Sequence, residues 1–143
     1  MRYREYGKTG IRVSELGFGG MRFEEPKDHE KSAATVLRAF EKGVTYFDTA
    51  PGYCADQSEI IIGKAILEMK KSGKPFYVST KSSKKTGDAV RKDLEQSLKR
   101  LNVETIDFYN CWCLLTMPDW ESRKAGGAVQ EILKAKEEGL IRH

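Results

Sequence analysis

The sequence predicts an α/β chain of parallel βα units, about half of a (β/α)8 barrel. Three strand-like runs end at near-constant intervals. Val44-Thr45-Tyr46-Phe47 stops at Asp48, Phe76-Tyr77-Val78-Ser79-Thr80 stops at Lys81, and Thr105-Ile106-Asp107-Phe108-Tyr109-Asn110-Cys111 leads to Trp112. The intervals from Asp48 to Lys81 and from Lys81 to Trp112 are 33 and 31 residues. Each gap carries a helical pattern, so the strands pair in parallel with their carboxyl ends on one side, where a barrel keeps its active site. A closed barrel needs ~250 residues, and this chain has 143.

The elements follow in order. Two short extended pieces, Tyr3 to Tyr6 and Ile11 to Val13, are joined by Gly7-Lys8-Thr9-Gly10, whose glycines suit a tight reversal. The first strand of the repeat, Glu15-Leu16-Gly17-Phe18-Gly19, opens into the loop Gly20-Met21-Arg22-Phe23. Asp28 can cap a helix with Ala33, Val36, Leu37 and Phe40 on one face, ended by Gly43. Ser58 is the expected cap of a second helix, with Ile62, Ala65, Ile66 and Met69 inward and Gly73 and Pro75 beyond its end. Asp88 is the expected cap of a third, whose Val90, Leu94, Leu98 and Leu101 recur at helical spacing. A fourth is expected from about Glu121 to Glu138, with Ala128, Val129, Ile132 and Leu133 inward and Gly139 at its end; Gly126-Gly127 weakens its first part by ~1 kcal/mol per glycine. The chain then stops where a fifth strand should begin.

No linker, low-complexity tract or composition shift divides the chain, which reads as one unit over residues 1–143. It is 39% hydrophobic and 32% charged, and its net charge of +4 is too small and too dispersed for a nucleic-acid or anionic-membrane surface. The opening Met1-Arg2-Tyr3-Arg4-Glu5 lacks the apolar core of a leader, and no run approaches the ~18 apolar residues of a membrane span, so a cytoplasmic location is expected. Cys54, Cys111 and Cys113 suit reduced thiols. Cys111-x-Cys113 invites a metal reading with Cys54 and a histidine. Alternation along a strand instead turns both cysteines toward the helix layer if Trp112 faces the mouth, and no metal is expected. Gly17-x-Gly19-Gly20 falls short of the dinucleotide-fold fingerprint; its glycines better suit a loop passing close to a ligand.

Asp48, Tyr53 and Lys81 are three unlike groups gathered at strand ends. Hydride delivered to a carbonyl carbon leaves negative charge on the oxygen, so a proton donor is needed there. A phenol flanked by an ammonium, itself held by a carboxylate, supplies one. A structural Asp–Lys ion pair beneath a rim aromatic is the plainer reading of the same residues.

The motifs also carry a resemblance. Gly7-Lys8-Thr9-Gly10 with Val13-Ser14-Glu15-Leu16-Gly17-Phe18-Gly19, then Phe47-Asp48-Thr49-Ala50-Pro51-Gly52-Tyr53, then Val78-Ser79-Thr80-Lys81, resemble the opening half of an aldo-keto reductase. Lys134-Ala135-Lys136-Glu137-Glu138-Gly139-Leu140-Ile141-Arg142 is similar to that family's connection from helix 4 into strand 5. The resemblance covers essentially the whole chain. It implies the amino-terminal half of a (β/α)8 TIM barrel and an NADP(H)- or NAD(H)-dependent oxidoreductase acting on a small carbonyl substrate. Tyr53 would be the general acid, Lys81 its activator and Asp48 the group holding Lys81. Gly20, Met21, Arg22 and Asp48 would be this chain's share of the cofactor site, the remainder lying after strands 5 to 8.

One departure stands out. The family usually places a histidine where Asp107-Phe108-Tyr109-Asn110-Cys111-Trp112 has Trp112. Trp112 keeps an N–H donor but does not titrate near neutrality; it could orient or stack on the substrate, or plug the mouth. Branches with a substituted histidine include some with a carboxy-terminal iron–sulfur segment, and such a cluster would have to come from a region outside this chain. The alternative function is a catalytically silent half-barrel that pairs with itself or another half. In either case the open edges make a homo-oligomer an expectation.

Overall fold

The computed structural model describes Met1 to His143. The first strands, β1 (Tyr3–Glu5) and β2 (Arg12–Ser14), pair antiparallel as expected. Gly7 and Gly10 adopt φ +56° and +73° in the reversal, the left-handed region that glycine enters without steric cost.

Four strands then form one parallel sheet in chain order: β3 (Phe18–Gly19), β4 (Tyr46–Asp48), β5 (Tyr77–Ser82) and β6 (Phe108–Cys111). Asp48 lies opposite Ser79, and Lys81 opposite Asn110. Alternation sends Phe47, Val78 and Tyr109 into a core shared with Val36, Ile62, Ile66 and Leu94 of the helices. Tyr46, Asp48, Ser79, Lys81, Phe108 and Asn110 take the opposite, inner face; the Tyr46–Phe108 ring contact at 5.6 Å and the Asn110 amide donating to Ser79 Oγ at 3.2 Å lie on it. Tyr6 reaches over from the hairpin onto this face, 4.4 Å from Phe108 between ring centroids, and closes one end of the half-barrel. Burial pushes the Tyr46 hydroxyl there up to about 12.

Helix α1 (His29–Glu41) is capped by Asp28, whose carboxylate accepts from the Lys31 N–H at 3.0 Å. The caps expected of Ser58 and Asp88 are not made. Helix α2 (Ser58–Lys71) starts from Gln57, and Ser58 is fully buried, its hydroxyl donating to the Gly20 carbonyl (2.7 Å) and pairing with Thr49 Oγ1 (2.7 Å). A tertiary contact has taken the hydroxyl that a local cap would have used. Helix α3 (Gly87–Leu101) starts from Thr86, which leaves Asp88 in the first turn, where its charge favours the helix dipole. Gly63 is the point of closest approach between α2 and α3: a Cβ there would lie 1.9 Å from the Arg100 carbonyl oxygen.

The expected fourth helix is two. Helix α4 (Met117–Ala125) begins with a capping box, Thr116 to Asp119, and helix α5 (Ala128–Glu137) follows after Gly126-Gly127. Gly127 is left-handed at φ +83°, the Gly126 carbonyl accepts the Gly87 N–H at 3.1 Å, and a Cβ on Gly126 would sit 2.0 Å from the Lys85 carbonyl oxygen. The glycines therefore break the helix to let the start of α3 approach. The break resets the helical phase, so that Ala128 and Ala135 are buried while Leu133, expected inward, is 56% exposed. At the other end the chain has already begun a fifth strand: Ile141 bridges Ile106 in parallel, and the His143 N–H donates to the Asp107 carbonyl at 2.9 Å. No helix is long and apolar enough to cross a membrane.

Candidate functional site at the carboxyl ends of the strands

Asp48 ends β4, Lys81 lies near the end of β5 and Trp112 directly follows β6, so the strand register alone delivers three groups to one rim. Tyr53 comes from the loop between β4 and α2. The Lys81 ammonium donates to Asp48 Oδ2 at 2.6 Å, with the Lys81 side chain 10% exposed and that of Asp48 32%. The same ammonium stands over the Tyr53 ring, 5.2 Å from its centroid, a cation–π contact. Trp112 meets Tyr53 edge to face, with centroids 5.7 Å apart and planes at 87°. The four residues singled out in the sequence thus form one contiguous group. Beside it lies a polar cleft of about 310 Å³ lined by Pro51, Gly52, Lys81, Ser82, Arg100 and Trp112, among others.

The loop after β3 is placed differently. Gly20 is buried, its N–H donates to the Asp48 carbonyl (2.8 Å), and a Cβ would fall 2.6 Å from Ser58 Oγ. Its missing side chain serves close packing against α2. Met21 and Arg22 are exposed, and Arg22 lines a separate cleft of about 270 Å³ with Phe18, Phe23 and Thr35. Cys54 ties this loop to that of Tyr53: its thiol donates to the Met21 carbonyl at 3.2 Å and accepts the Phe23 N–H at 3.4 Å. Cys111 is half-buried on the helix side of its strand, as alternation predicts, but Cys113 lies beyond β6, exposed and left-handed at φ +64°. The chain has no cluster of three histidine, cysteine or carboxylate side chains that could hold a metal.

The structure adds residues that the sequence reading missed. Cys54, Ala55 and Asp56 follow Tyr53 in three successive left-handed conformations, φ 54°, 52° and 70°, at roughly 1–2 kcal/mol per non-glycine residue. Arg100, at the far end of α3, grips Asp56 with both terminal nitrogens (2.7 and 2.5 Å) and reaches Glu59 at 3.4 Å. Asp56 Oδ1 also accepts the Gly52 N–H at 3.0 Å, and the Arg100 guanidinium holds the Asp56 carboxyl below the usual range. Glu59 is enclosed and accepts the Thr80 hydroxyl at 2.8 Å. No local pattern announces these pairs, since Arg100 and Asp56 are 44 residues apart.

Burial pushes the Glu59 carboxyl above the usual range, which ties stability to pH. The folded state then binds the Glu59 proton more tightly than the unfolded state does. As pH rises past the ordinary glutamate value of about 4.3, unfolding releases a proton and this contribution to stability is lost. Urea denaturation between about pH 4 and pH 7 should show the wild type losing stability relative to Glu59→Gln as pH rises. A difference that grows in favour of the wild type would mean that pairing with Arg100 outweighs burial.

An open run of parallel βα units with polar groups collected at the strand carboxyl ends is half of a (β/α)8 barrel. The family model of the Aldo/keto reductase family matches residues 15–143, and the chain belongs to that family. It is 33% identical over 117 residues to the L-galactose dehydrogenase of Arabidopsis thaliana, covering 76% of this chain and 37% of that protein. With the aldo-keto reductase YhdN of Bacillus subtilis it shares 35% identity over 123 residues, again 76% of this chain and 37% of the other. Among solved structures, the holo form of an aldo-keto reductase from Bacillus halodurans superposes with a TM-score of 0.81 at 25% identity, over 100% of this chain and 49% of that one. The chain therefore spans about half, or less, of the length of these relatives.

Proposed function

We propose that the chain is the amino-terminal half of an NAD(P)H-dependent oxidoreductase that reduces a small carbonyl compound by hydride transfer, with Tyr53 as the general acid. The observation that carries this reading is the nearly enclosed Lys81 ammonium, paired with Asp48 and standing against the Tyr53 ring, at the rim where a (β/α)8 barrel carries its active site. In the transition state, where negative charge passes to the phenol oxygen, the neighbouring ammonium supplies a compensating positive charge. Asp48 holds that ammonium in place by accepting its hydrogen bond at 2.6 Å.

The donor set suits a nicotinamide cofactor. The Tyr53 and Trp112 rings provide flat faces, the Lys81 ammonium faces developing negative charge, and the adjoining cleft is polar. When bound, the cofactor supplies the hydride. Asp48 and the Gly20–Arg22 loop would be this chain's contribution to holding it; strands supplied by the rest of the barrel would hold the remainder. Tyr53 delivers the proton to the carbonyl oxygen, Lys81 stabilises the phenolate left behind, and the Trp112 indole, half-buried beside the donor, orients the substrate.

The test uses the complete barrel, this chain joined to the remaining strands, with NADPH and a panel of aldehydes and ketones. NADPH should be consumed in step with alcohol formation. Trp112→His should raise the rate with simple aldehydes, because it places a second titratable donor beside Tyr53. An unchanged rate and KM would instead make Trp112 a plug of the mouth.

A further inference from the structure

We propose that Asp56 and Arg100 are positioning residues for the proton donor: their bidentate ion pair sets the loop that aims Tyr53, and Glu59 and Thr80 tie that loop to the strand carrying Lys81. The inference rests on the reading of Tyr53 as the general acid and extends it to Asp56 on the turn and Arg100 on α3, which line the adjoining cleft, and to Glu59 and Thr80 behind them.

Tyr53 lies in no strand or helix, and although its carbonyl accepts the N–H groups of Gln57 (3.1 Å) and Ser58 (3.2 Å) at the start of α2, something other than the sheet must fix its ring over Lys81. The turn that follows it runs through Cys54, Ala55 and Asp56 in the left-handed region without a glycine, a conformation that persists only where surrounding contacts over-determine it. Asp56 supplies those contacts in both directions. One oxygen accepts the N–H of Gly52, immediately before Tyr53, and the two oxygens together receive the planar fork of Arg100. Charge-assisted, two-point contacts of this kind fix orientation as well as distance. Arg100 is in turn anchored: its side chain is 16% exposed and it also reaches the enclosed Glu59, whose other oxygen accepts the hydroxyl of Thr80. Thr80 is the residue before Lys81 and points to the opposite face of β5. A continuous polar path thus runs from the backbone beside Tyr53, through Asp56, Arg100 and Glu59, to the backbone beside Lys81, behind the sheet.

Because the chain holds the donor and its activating ammonium through one set of contacts, loosening the fork should displace Tyr53 relative to Lys81 while leaving the helices packed. Misplacement of a reacting group by about 1 Å costs on the order of 10²-fold in rate.

The test compares Asp56→Asn and Arg100→Lys with Tyr53→Phe and with Arg91→Lys, which alters an α3–α5 ion pair unconnected to the loop. In the complete barrel with NADPH and an aldehyde, both fork variants should lose about ten- to a hundredfold in kcat. The loss should fall on kcat more than on KM for NADPH, even though both residues line the cleft beside the site, and Arg91→Lys should keep both values near wild type. In the chain itself, the near-ultraviolet circular dichroism of the Tyr53–Trp112 pair, identified as the band removed by Tyr53→Leu, should weaken in both fork variants and persist in Arg91→Lys. Wild-type kcat together with an intact band in Asp56→Asn and Arg100→Lys would overturn the proposal. Full turnover in Tyr53→Phe would overturn the underlying assignment of the donor instead, and the dichroism band would still report whether the fork orients the Tyr53 loop.

Discussion

On the proposed reading, Tyr53→Phe should remove most carbonyl reduction by the complete barrel, lowering kcat by about 10²–10⁴-fold, or about 3–5 kcal/mol of transition-state stabilisation. The substitution is a clean probe because it deletes one oxygen. The phenylalanine ring keeps its place over the Lys81 ammonium and its edge-to-face contact with Trp112, so neither the packing of the mouth nor the ion pair beneath it is disturbed. Cofactor affinity should therefore be nearly unchanged, since a general acid acts chiefly as charge develops on the substrate oxygen. The ammonium lies at the Tyr53 ring face, and catalytic hydrogen bonds commonly tighten only when substrate closes the site. Single-turnover kinetics would measure the loss. A Tyr53→Phe enzyme retaining more than about a tenth of the wild-type rate would fall well outside the range of general acid catalysis.

The second large effect is an asymmetry across one ion pair. Lys81 is nearly enclosed, with 10% of its side chain exposed, whereas 32% of Asp48 is exposed. Asp48→Ala strands a buried ammonium and should destabilise the chain by about 3–5 kcal/mol. Lys81→Met leaves a carboxylate that water still reaches, fills the same channel with apolar atoms of similar length, and should cost no more than about 1–2 kcal/mol. Urea denaturation of the two variants near neutral pH measures the order directly. Equal losses, or a larger loss for Lys81→Met, would show that the pair is held by something other than the burial of its cation.

What the sequence disclosed and what it concealed divide along physical lines. The strands that bring Asp48 and Lys81 to the rim were legible because β-branched and aromatic runs recur at the βα period, although β5 runs one residue past Lys81, to Ser82. The helix ends were legible where a glycine takes positive φ, as Gly43, Gly73 and Gly139 do. The meeting of Asp48, Lys81 and Trp112 followed from the parallel register alone. The break at Gly126-Gly127 was hidden because its cause, the close approach of Lys85 and Gly87, lies more than a whole βα unit earlier in the chain. Ser58 looked like a cap because the local pattern fits one, and only the folded loop shows that the Gly20 carbonyl and Thr49 claim its hydroxyl. Arg100 could not be found at all, since a charged residue near a helix end has many ordinary uses and its partners depend on how α2 and α3 pack.

Hydride transfer itself offers the most direct test of the proposed carbonyl-reducing site. NADPH carrying deuterium at both C4 positions of its nicotinamide ring, incubated with the complete barrel and an aldehyde, should yield an alcohol carrying deuterium on the carbinol carbon and none on the oxygen, by mass spectrometry after exchange in ordinary water. The transfer should fall with Tyr53→Phe in the same proportion as turnover. An alcohol free of deuterium, or label transferred at the wild-type rate by the Tyr53→Phe protein, would contradict the assignment of Asp48, Tyr53 and Lys81 as a carbonyl-reducing site.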